Sequence, residues 1–170
     1  LHILRNPYAN LVSLRRYQMR NRRNYPHLIT SLSALENSFY HLYRNQQILS
    51  SYLVVRYEDI LMKPEETMKE VTEFIGINYT DSLIAPTSLG NSWTGNSNRG
   101  TLFQGISAEN VDLWKADINH FEIHAINRHF EFVIEDYGYE KLNSKRNYFF
   151  PVRKEMPRTY FVNRIASKYF

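Results

Sequence analysis

The stretch Leu1-His2-Ile3-Leu4-Arg5-Asn6-Pro7, continued by Tyr8-Ala9-Asn10-Leu11-Val12-Ser13-Leu14, decides the fold. Leu1 to Leu4 is a short apolar run and predicts a buried strand. Asn6 followed by Pro7 predicts a helix start, because Asn is a good N-cap and Pro suits the first turn. Leu11, Val12 and Leu14 lead into the basic run Arg15 to Arg23. The helix is therefore predicted from about Pro7 to Asn21, with its cations at the C-terminal end, where the dipole favours them. A strand that passes directly into a helix marks an α/β arrangement, and Arg5 stands at the join.

Working outward, Leu32, Leu35, Phe39, Leu42 and Tyr43 fall at helical spacing and predict a second helix over 31–50. Tyr52 to Tyr57 is β-branched and aromatic and predicts a strand. Lys63-Pro64-Glu65-Glu66 predicts a third helix, with Met68, Val71, Phe74 and Ile75 as its apolar face and Gly76 as its stop. Residues 81–105 hold four of the six glycines and are predicted as loop. Ser107 is expected to cap a short helix through Lys115, and Ile118 to Tyr137 to form a long amphipathic helix ended by Gly138. Beyond residue 141 the periodicity is lost. The expected division is a domain over 1–140 and a basic, aromatic C-terminal extension over 141–170. Strands alternating with helices predict a parallel sheet flanked by helices. Only two strands are visible, fewer than a sheet buried on both faces needs. Since the chain opens with Leu1 directly in a strand, it is expected to be a fragment.

Composition narrows the function. The 170 residues are 43% hydrophobic and 22% charged, an ordinary globular balance. Aromatics reach 15%, with 13 Tyr and 10 Phe, enough to line a core and the walls of a cleft. A net charge of +4 fits an anionic partner without naming it. There is no cysteine, which excludes disulfides, thiolate catalysis and Cys-bound zinc and suits a cytoplasmic setting. No apolar run approaches the roughly 20 residues of a membrane span.

Arg5 sits at the strand edge where open α/β sheets bind ligands. The free N–H groups of the next helix favour an anion there, and a guanidinium fork suits phosphate. Ser13 lies eight residues on, roughly 10 Å along the helix axis. An anion touching both must lie against the flank of that helix, with Arg5 reaching along it. Spacing alone leaves the plainer reading open, in which Arg5 is a surface ion-pair partner and Ser13 a tolerated helix serine.

The run Ile3-Leu4-Arg5-Asn6-Pro7 through Ser13-Leu14 resembles the 3′-phosphate-binding motif of PAPS-dependent sulfotransferases. Tyr52-Leu53-Val54-Val55-Arg56-Tyr57-Glu58-Asp59-Ile60, then Pro64-Glu65 and Phe74-Ile75-Gly76, resembles the family's VRYEDL…P…FLG segment. Trp93-Thr94-Gly95-Asn96-Ser97, followed by Ser107 to Trp114-Lys115, resembles its late nucleotide-binding loop and the helix after it. Tyr137-Gly138-Tyr139-Glu140 resembles the lGYe at which many such domains end. The blocks stand in the family's order over residues 1 to about 140.

The resemblance implies the fold, an incomplete P-loop-NTPase-like parallel sheet, and the C-terminal part of a sulfotransferase domain. It implies PAPS as co-substrate, no metal, and transfer of a sulfuryl group to an acceptor hydroxyl or amine. Arg5 and Ser13 become 3′-phosphate ligands. Ser97, Arg99 and Gly100 fall in the loop that closes over the nucleotide, and Tyr57 matches a tyrosine near the adenine. A core aromatic at a strand end is the equally open reading of Tyr57. The family's 5′-phosphosulfate loop is not in the sequence: no G-x-x-x-x-G-K-[ST] occurs. Gly95 to Thr101 is a superficial near-match without the Lys. The catalytic base is expected upstream of Leu1, so the chain is expected to be inactive alone.

Several features are decoys. His120 and His124 stand i, i+4, yet both lie opposite the apolar stripe of Ile118, Ala125, Ile126 and Val133, which predicts a solvated polar face and not zinc. Arg15, Arg16, Arg20, Arg22 and Arg23 predict a solvated basic helix end that could steer an anion, and no nucleic-acid module accompanies them. Asn78-Tyr79-Thr80 is a formal glycosylation sequon. The acceptor is open among carbohydrate, protein, lipid and small alcohol. The competing readings are a non-catalytic anion- or nucleic-acid-binding module and a P-loop kinase relative.

Overall fold

The computed structural model describes residues 1–22, 27–93, 105–109 and 111–144. The chain divides into two compact units, Leu1–Asn6 with Arg44–Leu113, and Pro7–Tyr43 with Trp114–Phe170.

In the first unit, strand β1 (His2–Leu4) pairs in parallel with β2 (Val54–Arg56). The register sets His2 against Val54, Ile3 against Val55 and Leu4 against Arg56. The predicted strand over 52–57 shrinks to three residues because a helix begins at once. Helix α3 (Tyr57–Met62) carries Glu58 and Asp59 in its first turn, where the helix dipole stabilises acids. A second helix, α4 (Pro64–Ile75), follows after Lys63. The sequence predicts one helix here; Pro64, lacking an N–H, begins the second instead of continuing the first. Gly76 closes α4 at φ 75°, and Ile77 N–H reaches back to the Thr72 carbonyl at 3.0 Å, so the orphan carbonyls of the last turn are satisfied. Of the apolar face expected for α4, Val71 is buried, together with Thr67 and Thr72, while Ile75 is exposed. Leu4 and Val55 are buried while Ile3 is 56% exposed.

A 3-10 turn spans Asp81–Ile84. The region predicted as loop then contains a small hairpin of β3 (Thr87–Ser88) and β4 (Asn91–Ser92). Its two-residue turn puts Leu89 at φ 51° and Gly90 at φ 82°, the left-handed pair that matches strand twist in tight hairpins. Among the described residues Ser107 caps no helix: its hydroxyl accepts the Glu109 N–H in a local turn, and the 3-10 turn Leu113–Ala116 follows.

The second unit is helical. It contains α1 (Pro7–Arg22), α5 (His120–Asp136) and most of α2 (Leu28–Ile48). Its core joins Tyr8, Leu11 and Val12 of α1, Leu35, Phe39 and Leu42 of α2, and Ile126, Phe130, Val133 and Ile134 of α5. Phe39 meets Phe130 edge to face with centroids 5.0 Å apart. Tyr8 stacks on Trp114 at 5.8 Å, donates its hydroxyl to Asn127 and accepts the Leu142 N–H. Asn119 opens α5 with a capping box: its side chain accepts Glu122 N–H at 2.9 Å, and the Glu122 carboxylate accepts Asn119 N–H at 3.1 Å. The helix departs from helical geometry at Phe130 (φ −132°).

Candidate functional site

Arg5 follows the last residue of β1, at the carboxyl edge of the parallel pair. Its environment is built by the start of α3. The guanidinium lies 5.1 Å from the Tyr57 ring centroid, within cation–π range. Its Nε is buried and has no hydrogen-bond partner among the described residues. One residue on, the Asn6 N–H donates to Glu58 Oε1 at 3.0 Å in a buried contact. Arg56, at the end of β2, pairs with Asp59 at 3.5 Å. The first unit thus presents a half-buried cation against an aromatic face at a strand end, an arrangement suited to an anion joined to a flat ring.

Of the six residues nominated from sequence, the structure brings Arg5 and Tyr57 together. Tyr57 is exposed and is the first residue of α3, which removes the reading of a core aromatic. Ser13 is partly exposed on α1 and belongs to the second unit. Ser97, Arg99 and Gly100 lie outside the described residues. Glu58 was quoted within a motif but not nominated. Its place in the first turn of α3 is visible only once the helix is known, because the sequence pattern reads as strand up to Tyr57.

The basic run of α1 is not a uniformly solvated face. Arg15 Nε meets Glu122 Oε1 at 3.1 Å, with Glu122 fully buried, and Arg15 Nη2 donates to the Asp117 carbonyl at 2.6 Å. Arg16 pairs with the Asp117 carboxylate. Arg20 is exposed as expected, while Arg23 lies outside the described residues. His120 is exposed and His124 half-buried. Among the described residues no group of acids and histidines is arranged to hold a metal, and no helix is long and apolar enough to cross a membrane. Asn78 and Thr80 of the sequon are both exposed.

A parallel strand pair with an arginine at its carboxyl edge, flanked by helices, defines an α/β protein. A family model described as "Sulfotransferase family" matches residues 1–81, the part of the chain that holds Arg5, Tyr57 and Glu58. Carbohydrate sulfotransferase 1 of Danio rerio is 27% identical over 104 residues, covering 55% of this chain and 23% of that protein. The solved "Sulfotransferase Domain from the Curacin Biosynthetic Pathway" is similar in fold with a TM-score of 0.61 at 16% identity, covering 82% of this chain and 53% of that one. The first two make part of the chain similar to sulfotransferases, and the third shows a similar fold. The chain spans about a quarter of the length of the Danio rerio relative and about half of the solved domain.

Proposed function

We propose that the chain supplies the 3′-phosphate-binding half of a PAPS-dependent sulfotransferase, built on a P-loop-NTPase-like sheet and ending near residue 140, with 141–170 as an extension. In the reaction, the acceptor oxygen or nitrogen forms a bond to sulfur while the bond from sulfur to the 5′-phosphate oxygen breaks. The leaving phosphate keeps that bonding pair as PAP, and the acceptor's proton passes to a base that no motif assigns within this chain. The 3′-phosphate is remote from these bonds. Binding energy there orients the nucleotide and separates PAPS from nucleotides without that phosphate.

The observation that carries this reading is the Arg5 guanidinium at the strand edge of the matched segment, with a buried Nε that no described residue accepts and, unlike Arg15 and Arg56, with no described acid paired to it. An oxyanion supplies the missing acceptor. Tyr57 beside it is proposed to flank the adenine. The motif alone assigns Ser13 to the same phosphate, and Ser97, Arg99 and Gly100 to the loop over the nucleotide. The name of the Danio rerio relative puts carbohydrate hydroxyls first among acceptors to assay.

Titration calorimetry of the full-length protein with PAP tests the reading. Arg5→Ala should weaken PAP binding about ten- to a hundredfold, the loss of a hydrogen bond to a charged group at about 1.5–3 kcal/mol. An unchanged PAP affinity refutes the assignment.

A further inference from the structure

The peptide between Arg5 and Asn6 has no regular structure to hold it. The β1–β2 ladder ends at Leu4 and Arg56, and α1 begins at Pro7. The Asn6 N–H is therefore a donor that neither strand nor helix accepts, in a residue only 8% exposed. A buried backbone donor must find an acceptor. The acceptor is Glu58 Oε1 at 3.0 Å, from a residue 7% exposed and 52 positions away in sequence. A neutral side chain could have satisfied this N–H; a buried carboxylate makes the stronger, charge-assisted bond.

That bond acts on Arg5. The Asn6 N–H and the Arg5 carbonyl lie in one rigid peptide plane. Holding the N–H fixes the orientation of that plane and so restricts ψ at Arg5. The neighbour of Glu58, Tyr57, faces the other end of the same residue, with its ring 5.1 Å from the guanidinium. The first two residues of α3 thus hold Arg5 at both ends, one through the backbone and one through the cation.

We propose that Glu58 is a positioning residue, whose buried carboxylate anchors the Arg5–Asn6 peptide and so sets the direction in which the Arg5 guanidinium meets the nucleotide's 3′-phosphate. The proposal rests on the reading of Arg5 given above. Sites of this kind need their groups held to about 0.5 Å, and supporting contacts supply that precision.

The test compares PAP with 5′-AMP, which lacks the 3′-phosphate, by calorimetry on the full-length protein. Glu58→Ala should weaken PAP binding at least about tenfold and leave AMP nearly unchanged. Glu58→Gln keeps an oxygen acceptor at the same reach and should stay within about threefold of the parent for PAP. A purely structural role weakens both nucleotides alike, and that result overturns the proposal, as does an unchanged PAP affinity. If Glu58→Ala does not fold, Glu58→Asp decides. Its carboxylate is one methylene short, and it should lose PAP affinity several-fold while keeping AMP affinity; equal affinities for both nucleotides relative to the parent overturn the proposal. Arg5→Ala runs in parallel. If it weakens PAP while the Glu58 variants do not, only the positioning role fails. If it leaves PAP unchanged, the phosphate reading fails and the positioning role falls with it.

Discussion

Glu58 and Glu122 invite comparison, one in each unit. Both are buried acids in the first turn of a helix, and both accept a backbone N–H, from Asn6 and Asn119. The arginines near them are used in opposite ways. Arg15 is ion-paired with the Glu122 carboxylate, Nε to Oε1 at 3.1 Å, and donates an Nη to the Asp117 carbonyl, so its charge is met by the protein that surrounds it even though its buried Nε makes no aligned hydrogen bond. Arg5 also has a buried Nε without an acceptor among the described residues, but no described acid is paired with it. Leaving a buried charged donor without a partner costs about 1–3 kcal/mol. The lesson is that a basic residue is read for function by whether the surrounding protein supplies it an acid, not by its charge or by the company of other arginines.

Exchanging the two arginines for alanine should break the protein in different ways, and the largest effect belongs to Arg15. Arg15→Ala leaves Glu122 buried without its cation and should lower unfolding free energy by about 3–5 kcal/mol in urea titration. The preference for PAP over AMP in the folded fraction should stay as it was. Arg5→Ala should give the converse, a large loss of PAP affinity with the urea midpoint nearly unmoved. If Arg15→Ala abolished nucleotide preference without loss of stability, the contrast would be reversed. A smaller effect sharpens it: Asn119→Ala removes the capping side chain beside Glu122 and should cost about 1 kcal/mol, again without changing nucleotide preference.

The helices were largely legible in the sequence because local signals agreed with burial. Pro7 starts α1, Gly76 stops α4 in the left-handed conformation, and Phe39, Leu42, Ile126 and Val133 are buried at helical spacing. What escaped was set by contacts over distance. Arg15 and Arg16 read as a solvated helix end because nothing local reveals that Glu122 and Asp117, about a hundred residues on, accept them. The hairpin at Thr87–Ser92 lacks alternating apolar residues, so only its Leu89-Gly90 turn could have signalled it. The start of α3 was hidden by the strand pattern of Tyr52 to Tyr57. Of the candidate site, Arg5 and Tyr57 could be named from motif resemblance, while the pairing of Glu58 with Asn6 spans 52 residues and has no periodic signature.

The smallest expected effect concerns a residue that, like Arg15, is held within the second unit. The Tyr43 hydroxyl donates to Asp136 Oδ2 at 2.6 Å, and its ring lies 5.4 Å from that of Phe132. Burial, and then the hydrogen bond to the neighbouring carboxylate, push the Tyr43 phenol well above its ordinary value of 10. The folded protein therefore keeps the phenolic proton at a pH where the unfolded chain has lost it. The unfolded state binds fewer protons in that range, so this contribution to stability is complete below about pH 10 and declines as pH rises further. Tyr43→Phe removes both the hydrogen bond and the ionisable group. At neutral pH it should cost about 0.5 kcal/mol, the low end for a hydrogen bond, because the pair is open to solvent. The deficit of the variant should be constant from pH 8 to about 10 and shrink above pH 10, since only the parent loses this contribution. Urea midpoints measured from pH 8 to 12 test the point: a deficit that stays constant above pH 10 would show that neither burial nor Asp136 holds the proton, and Tyr43 would then be a packing residue alone.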